Sequence, residues 1–483
     1  MGSIDEITKI KHPARLMQLT RMFCITFAGL ALTAGAQDQQ PPTSQLPPPQ
    51  DLSEARQTRV LTVEEAVRLA LEHNLDIQIQ RYNPIVNQFL LESGYGIYEP
   101  AFNFRAVRNF NSSPGGINPQ TGLPFTANER TQDTYVPDIA GTLPWTGLTY
   151  DLSGPLSRTV GNSVGLGSKF ASDPGITLTQ PLLKNFLIDK YRYQILLSKN
   201  TLKTSEEAVR LQIMTVVENV KAAYYNLIYA REQVKVNVKA LELNEQLLTE
   251  NRKRVQVGAL APLDEKQAES QAAISRADLL LAEQNLASQE NIVKNLLTDN
   301  FSEWAFVTPI PSESLVAVPV QLSLQESWRA GLAQRPEIIE QKLNLERQNI
   351  TVRYNHNQLF PEVDLVGSYG RNALAPTLDQ NFGGIRDGNN PFYSYGVSIT
   401  IPLGNIAARN SYSAAKAQVK QVLLQLKKQE QTIVVQIDND IKVVRSSLQR
   451  VDATRAARIY AETALEAEQK KLENGKSTSF VVL

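Results

Sequence analysis

Residues 190–257 read KYRYQILLSKNTLKTSEEAVRLQIMTVVENVKAAYYNLIYAREQVKVNVKALELNEQLLTENRKRVQV, 68 positions without a proline or a glycine. Those two residues are the usual helix breakers, so nothing in the run interrupts a helix. At ~1.5 Å per residue such a helix is ~100 Å long. Ile213, Val220, Leu227, Val234, Leu241, Leu248 and Val255 recur every seventh position and are all aliphatic. A seven-residue apolar repeat of this length predicts coiled-coil packing. Asn237, Asn244 and Asn251 form a second stripe at the same spacing, expected as a solvated face, with register-fixing as the other reading.

Working outward, Gly258-Ala-Leu-Ala-Pro262 breaks the run. Gly258 suits a C-terminal cap and Pro262 a helix start. A returning helix carries Ala272, Leu279, Leu286 and Val293, again spaced by seven. The two make an antiparallel hairpin. A second long pattern runs from Ala407 to Asn474 and meets Gly475.

The chain contains two related halves. Leu61-Thr-Val-Glu-Glu-Ala-Val-Arg-Leu-Ala-Leu71 resembles Leu322-Ser-Leu-Gln-Glu-Ser-Trp-Arg-Ala-Gly-Leu332, an offset of 261 (322 less 61). The same offset pairs Ile77 with Ile338, Gln80 with Gln341, Asn83 with Asn344 and Pro100 with Pro361. Gly175-Ile-Thr-Leu-Thr-Gln-Pro-Leu182 resembles Gly396-Val-Ser-Ile-Thr-Ile-Pro-Leu403 at an offset of 221, which leaves 40 extra residues in the first half. They fall within Phe110–Pro174, whose Gly, Asn, Ser, Pro and Thr content predicts a long surface loop.

Four segments alternate with period two. Phe102 and Phe104 interleave with Asn103 and Arg105; Ile176 and Leu178 with Thr177 and Thr179; Val363 and Leu365 with Asp364; Val397 and Ile399 with Ser398 and Thr400. This is the signal of a strand with one apolar face. In a membrane barrel that face meets lipid and the polar face lines water. A soluble antiparallel sheet has the same period. Four strands are too few to close a membrane barrel, whose smallest examples have about eight, so several chains would share one. Pro100, Pro181, Pro361 and Pro402 flank the four segments and mark strand–helix junctions.

Composition excludes several classes. Lys plus Arg and Asp plus Glu number 49 each, which gives no nucleic-acid footprint. One cysteine, Cys24, permits neither a disulfide framework nor a cysteine metal site. His12, His73 and His356 have no metal-ligand spacing, and no phosphate loop or nucleophile elbow is present. No catalytic residue, metal or cofactor is expected. At the N-terminus, Lys9, Lys11, Arg15 and Arg21 precede the apolar run 22–36, which closes on Ala34-Gly35-Ala36. This reads as a signal peptide over 1–36. Arg21-Met22-Phe23 before Cys24 is not a lipobox. Residues 37–58, with Pro41, Pro42, Pro47, Pro48 and Pro49, read as a disordered tether.

The opening Leu61-Thr-Val-x-Glu-Ala-x-x-x-Ala-Leu71-x-x-Asn74, the Gln180-Pro-Leu182 and Ile401-Pro-Leu403 marks and both glycine turns resemble the TolC family of outer-membrane efflux proteins. The resemblance runs from Leu61 to Leu483. It implies an α+β, TolC-like protomer with two internal repeats, 59–299 and 322–483, joined by a connecting segment over 300–321. It implies a homotrimer in which each chain gives four strands to one twelve-strand barrel. Phe102, Phe104, Ile176, Leu178, Val363, Leu365, Val397 and Ile399 would face outer-membrane lipid. The helices would form a periplasmic tunnel. The hairpin tips, Val257, Gly258, Ala259 and Leu260 with Gly475, Lys476 and Ser477, would dock a periplasmic adaptor (membrane fusion) protein that links to an inner-membrane pump.

Two departures from the family pattern stand out. The helix that would follow the second turn is absent, which reads as a truncated second repeat. The best-known member of that family constricts its entrance with aspartates just past that turn. Val481 occupies the first such position and Asp264 the matching place in the first repeat, so no acidic ring is assigned. The expected function is a passive export duct, with a structural or adhesive coiled-coil protein of the cell surface as the alternative. Drugs, metal ions, polysaccharide and protein all remain open as cargo.

Overall fold

The computed structural model describes residues 57–117, 119–125, 127–161, 169–474 and 476–477. The expected signal peptide, Cys24, most of the tether, Gly475 and Val481 lie outside these residues. Strand β1 (Gln57–Leu61) begins inside the stretch expected as tether. It pairs in parallel with a strand of the connecting segment, described below.

Helix α1 (Val63–His73) is the first half of the repeated motif. Thr62 caps it by accepting from the Glu65 amide at 3.0 Å. Ala66, Leu69 and Ala70 share one face and are buried. Asn74 then breaks the chain into α2 (Leu75–Tyr95) by accepting from the amides of Asp76 (3.0 Å) and Ile77 (3.3 Å). The 67-residue α3 (Lys190–Gln256) starts at Asp189, whose Oδ1 accepts from the amides of Tyr191 and Arg192 at 2.7 and 2.8 Å. Its partner α4 (Pro262–Leu297) begins on a proline, with Asp264 Oδ2 accepting from the Ala261 amide.

Both α2 and α4 run along α3, one after the other. Gly94 of α2 lies beside Ile195 near the start of α3. Asn244 and Arg231, farther along, meet Ser275 and Glu290 of α4. The joint between the two half-length helices is Asn74 again: its Nδ2 donates to the Leu296 carbonyl at 3.1 Å. Around this joint lies the main core, where Leu61, Ala66, Leu69 and Ile77 close on Val220, Tyr224, Leu227, Val293 and Leu297. The Tyr224 hydroxyl, fully buried, donates to the Leu61 carbonyl at 2.8 Å. A buried hydroxyl without that acceptor would cost roughly 1–3 kcal/mol.

The connecting segment holds a short α5 (Phe301–Trp304) and β10 (Val307–Pro311), the partner of β1. In the second repeat, α6 (Leu324–Gln334) and α7 (Pro336–Asn357) pack on the 68-residue α9 (Ile406–Glu473). Repeat-related positions behave alike. Ile77 and Ile338 are both fully buried. Position 70 is alanine, whereas its counterpart is Gly331, where a Cβ would come within 2.5 Å of Ile437. A side chain there would have to displace the tip of Ile437.

The sheet corrects two expectations. The described residues of 110–174 are not a surface loop. They finish β2 (Ala101–Ser113) and, after a small hairpin of β3 (Gly116–Ile117) and β4 (Pro124–Phe125), supply β5 (Asn128–Thr142), β6 (Thr149–Ser153), β7 (Leu156–Gly161) and β8 (Lys169–Ser172). The expected count of four sheet strands is therefore too low. The rest of the sheet is β9 (Gly175–Pro181), β11 (Glu362–Arg371), β12 (Ala373–Ala375) and β13 (Pro391–Thr400), with α8 (Leu378–Asp387) in the last connection. Pairing runs β2–β5–β6–β9–β11–β13, with β7, β8 and β12 continuing β6, β9 and β11. Among the described residues no helix is long and apolar enough to cross a membrane.

Asn74 carries two jobs that substitution separates. Asn74→Ala removes the α2 cap and the bond to Leu296, and is expected to cost about 1–2 kcal/mol. Asn74→Asp keeps the cap acceptor and loses only the Nδ2 donor, so its loss should be smaller. Denaturant unfolding of the purified protein measures both.

Candidate functional site

Directly opposed residues of neighbouring strands lie on one face of a sheet. One such row crosses the whole sheet: Phe102, Ile139, Leu152, Ile176, Tyr369 and Tyr393. The next, one residue on, is Ala101, Ala140, Asp151, Thr177, Ser368 and Ser394, with a 2.7 Å hydrogen bond between the two serine hydroxyls. Along these rows one face is apolar and the other small or polar from edge to edge. Phe102, Phe104, Ile176, Leu178, Val363, Leu365, Val397 and Ile399 all stand on the apolar face. All but the half-buried Val363 are exposed in the single chain.

The apolar face carries one charged cluster. Asp133 of β5 takes a bidentate contact from Arg108 of β2, at 2.5 and 3.0 Å, and Arg158 of β7 lies opposite it. The cluster lies in the half of these strands away from the helices.

The four prolines stand where strand and helix exchange. Pro100 precedes β2, Pro181 ends β9, Pro361 precedes β11 and Pro402 follows β13. A further device at this level was not legible in the sequence. The turn between β5 and β6 is tied to the root of α3: Arg192 Nε donates to the Pro144 carbonyl at 2.8 Å, and Gln180 Nε2 to the Thr146 carbonyl at 3.1 Å.

At the far end, α3 closes in a Schellman turn. Gly258 has φ +77°, its amide donates to the Val255 carbonyl at 3.0 Å, and the Ala259 amide to Arg254 at 2.8 Å. The Lys476 amide makes the matching bond to Lys471 at 2.8 Å. Leu247 and Leu472 bury each other, so the ends of α3 and α9 lie at the same end of the molecule. Val257, Gly258 and Ala259 are exposed there, as is Lys476, whereas Leu260 and Ser477 are half-buried.

The asparagine stripe is a correction. Asn244 and Asn251 are 7% and 2% exposed, not solvated. Asn244 Nδ2 donates to Ser275 Oγ of α4 at 2.7 Å. Small residues on α4, Ala268, Ala272 and Ser275, let the helices approach until the amides are enclosed. A polar pair in such a seam fixes register, because any slip strands a buried amide.

Higher up, repeat-related residues meet. Gln80, Asn83 and Asn344 line one polar groove with Asn200, Glu340 and Arg347. Glu340 is held above the usual carboxylate range, first by burial and then by the charges of Glu337 and Glu207. Among the described residues no cluster of His, Cys, Asp and Glu could hold a metal.

The chain thus combines an antiparallel sheet, apolar on one face and polar on the other along its central rows, with two helices of ~100 Å. The family model for outer membrane efflux proteins matches residues 151–298 and 329–483, and the chain belongs to that family. Its members are transport proteins. The chain is similar to the probable outer membrane lipoprotein SilC of Salmonella typhimurium, 25% identical over 274 residues, which is 56% of this chain and 54% of the relative. It thus spans about half the length of that relative. Among solved structures, CusC shares 16% identity at a TM-score of 0.61, covering 87% of this chain and 84% of that one. VceC from Vibrio cholerae shares 17% at a TM-score of 0.58, covering 87% and 88%. These two likenesses show the fold.

Adjacent residues of β13 test the two faces. Val397→Arg places a cation on the apolar face, at a cost of roughly 2–4 kcal/mol near mid-membrane, and should abolish assembly in the outer membrane. Ser398→Arg, on the polar face, should assemble normally; heat-resistant oligomer on gels reads both. Glu340→Gln tests the carboxylate crowding. A carboxyl whose folded pKa is raised destabilises as pH rises through that value, and the penalty vanishes below the ordinary value of about 4.3. The variant should unfold later than the parent at pH 7 and equally at pH 4.

Proposed function

We propose that copies of this chain close into one outer-membrane barrel above a helical periplasmic tunnel, and that the assembly is the passive exit duct of an efflux or secretion pump. The observation that carries this is the sheet's two edges. Strands alternate in direction from β2 to β13, so β2 and β13 run oppositely. Among the described residues each has a partner on one side only. Free backbone groups do not persist in hydrocarbon. A neighbour's β2 fits beside β13 as a regular antiparallel pair, and repetition closes the ring. The copy number is three, as the family resemblance implies. A coiled-coil adhesin has no use for such a sheet.

In this reading energy comes from the pump and the chain performs no catalysis. The tip around Val257 docks the adaptor. Val257 is 78% exposed and supports no core, so its change separates docking from folding. Val257→Glu should leave oligomer yield unchanged and reduce export several-fold in cells expressing the cognate adaptor and pump. Normal export would remove the tip from the docking surface. Light scattering on detergent-extracted protein should give three chains, and a monomer would overturn the duct itself.

A further inference from the structure

We propose that each chain contributes six membrane strands to the barrel, so that the trimer closes eighteen. The inference rests on the duct reading above and deepens it by fixing the width of the outer-membrane exit.

The strand segments reduce to six full-height strands. β6 pairs with Asp138–Thr142 of β5 and β7 with Arg130–Tyr135 of the same strand. They are one strand kinked at Gly154-Pro155, where the Gly154 amide still donates to the Pro137 carbonyl at 2.9 Å. β8 pairs with β7 and β9 with β6, so these too form one strand, kinked at Asp173-Pro174. β12 follows β8 as β11 follows β9, with the Arg371 amide on the Pro174 carbonyl at 3.0 Å. The three kinks fall side by side and so bend the sheet rather than end it. β2 and β5 are 13 and 15 residues long, and β6 with β7 covers residues 149–161. Each exceeds the about 9–11 residues a tilted strand needs to cross a bilayer.

The two added strands, β5 and β6–β7, carry the same alternation as the others. Tyr135, Pro137 and Ile139 stand on the apolar face with Leu152 and Leu156; Thr134, Asp138, Asp151 and Ser157 stand on the polar one. A hairpin folded away from the barrel would need no such match. It also occupies the edges that a four-strand protomer would join: β5 takes the partnered side of β2, and β6 takes the side of β9 opposite β11. Both ends are anchored, by Arg192 and Gln180 at the helix side and by the Arg108–Asp133 contact toward the other. Six is even, so three copies still meet antiparallel at every seam. Barrel diameter grows about linearly with strand number, so the exit is roughly half as wide again as a twelve-strand one, in the range that holds an open aqueous channel.

The test uses the full chain, purified from outer membranes into lipid nanodiscs. Light scattering first gives the number of chains. Electron cryomicroscopy then counts barrel strands, with eighteen in a trimer expected. In parallel, a Cys24→Ser chain carrying Asp151→Cys and Thr177→Cys, opposed on β6 and β9, is oxidised in membranes. Near-complete intrachain crosslinking is expected. A trimer with twelve strands, residues 128–161 outside the wall and no crosslink would overturn the proposal while leaving the duct intact. A chain that crosslinks but is not trimeric would instead overturn the trimer, and with it the count of eighteen.

Discussion

Hydrocarbon offers no water to an exposed backbone amide or carbonyl, and each group left unmet there costs several kcal/mol. Among the described residues, β2, β5, β6, β9, β11 and β13 meet that demand between themselves except along one side of β2 and one side of β13. Those two edges set the rest of the architecture. The strands alternate in direction, so the two edge strands run oppositely. The apolar residues of neighbouring strands fall on one face. The turn between β5 and β6 is clamped at the helix end, by Arg192 and Gln180, where strand gives way to helix.

Below that junction the constraint changes. A helix satisfies its own backbone, so what needs fixing is the register of very long helices against one another. Aliphatic seams alone tolerate sliding, because one leucine replaces another at little cost. Asn244 and Ser275 remove that tolerance near the tip, and Asn74 does so at the joint of α2 with α4. Tyr224 pins the crossing of β1 over α3. Polar groups inside the seams thus hold the helices in one alignment over a length at which hydrophobic packing is nearly degenerate.

The internal repeat places the two halves on common rules but not identical ones. Ile77 and Ile338 fill equivalent core positions, and Gln80, Asn83 and Asn344 face one groove. The halves differ in the sheet, where the first supplies an extra hairpin between strands that the second joins directly. The family match begins at Asp151, within β6, so β5 lies wholly outside the matched residues.

The long helices, their glycine turn at Gly258, the repeat and the four alternating segments were all legible in the sequence, because each rests on local periodicity or on a residue with one conformational use. The strands β5 to β8 were not read, although Tyr135, Pro137 and Ile139 alternate with Thr134, Val136 and Asp138. Glycine, proline and serine there have the composition of a loop, and strand propensity depends on which neighbours lie alongside. Only pairing with β2 and β9 turns that stretch into sheet. The asparagine stripe failed for a related reason. Heptad spacing places Asn244 and Asn251 on one face of α3 but does not say what approaches it, and the small side chains of Ala272 and Ser275 on another helix decided that the face is enclosed. Sequence by itself determined the elements, their lengths and their oily sides. Tertiary structure decided which backbone edge met which and how closely two helices came, since both depend on residues far apart in the chain.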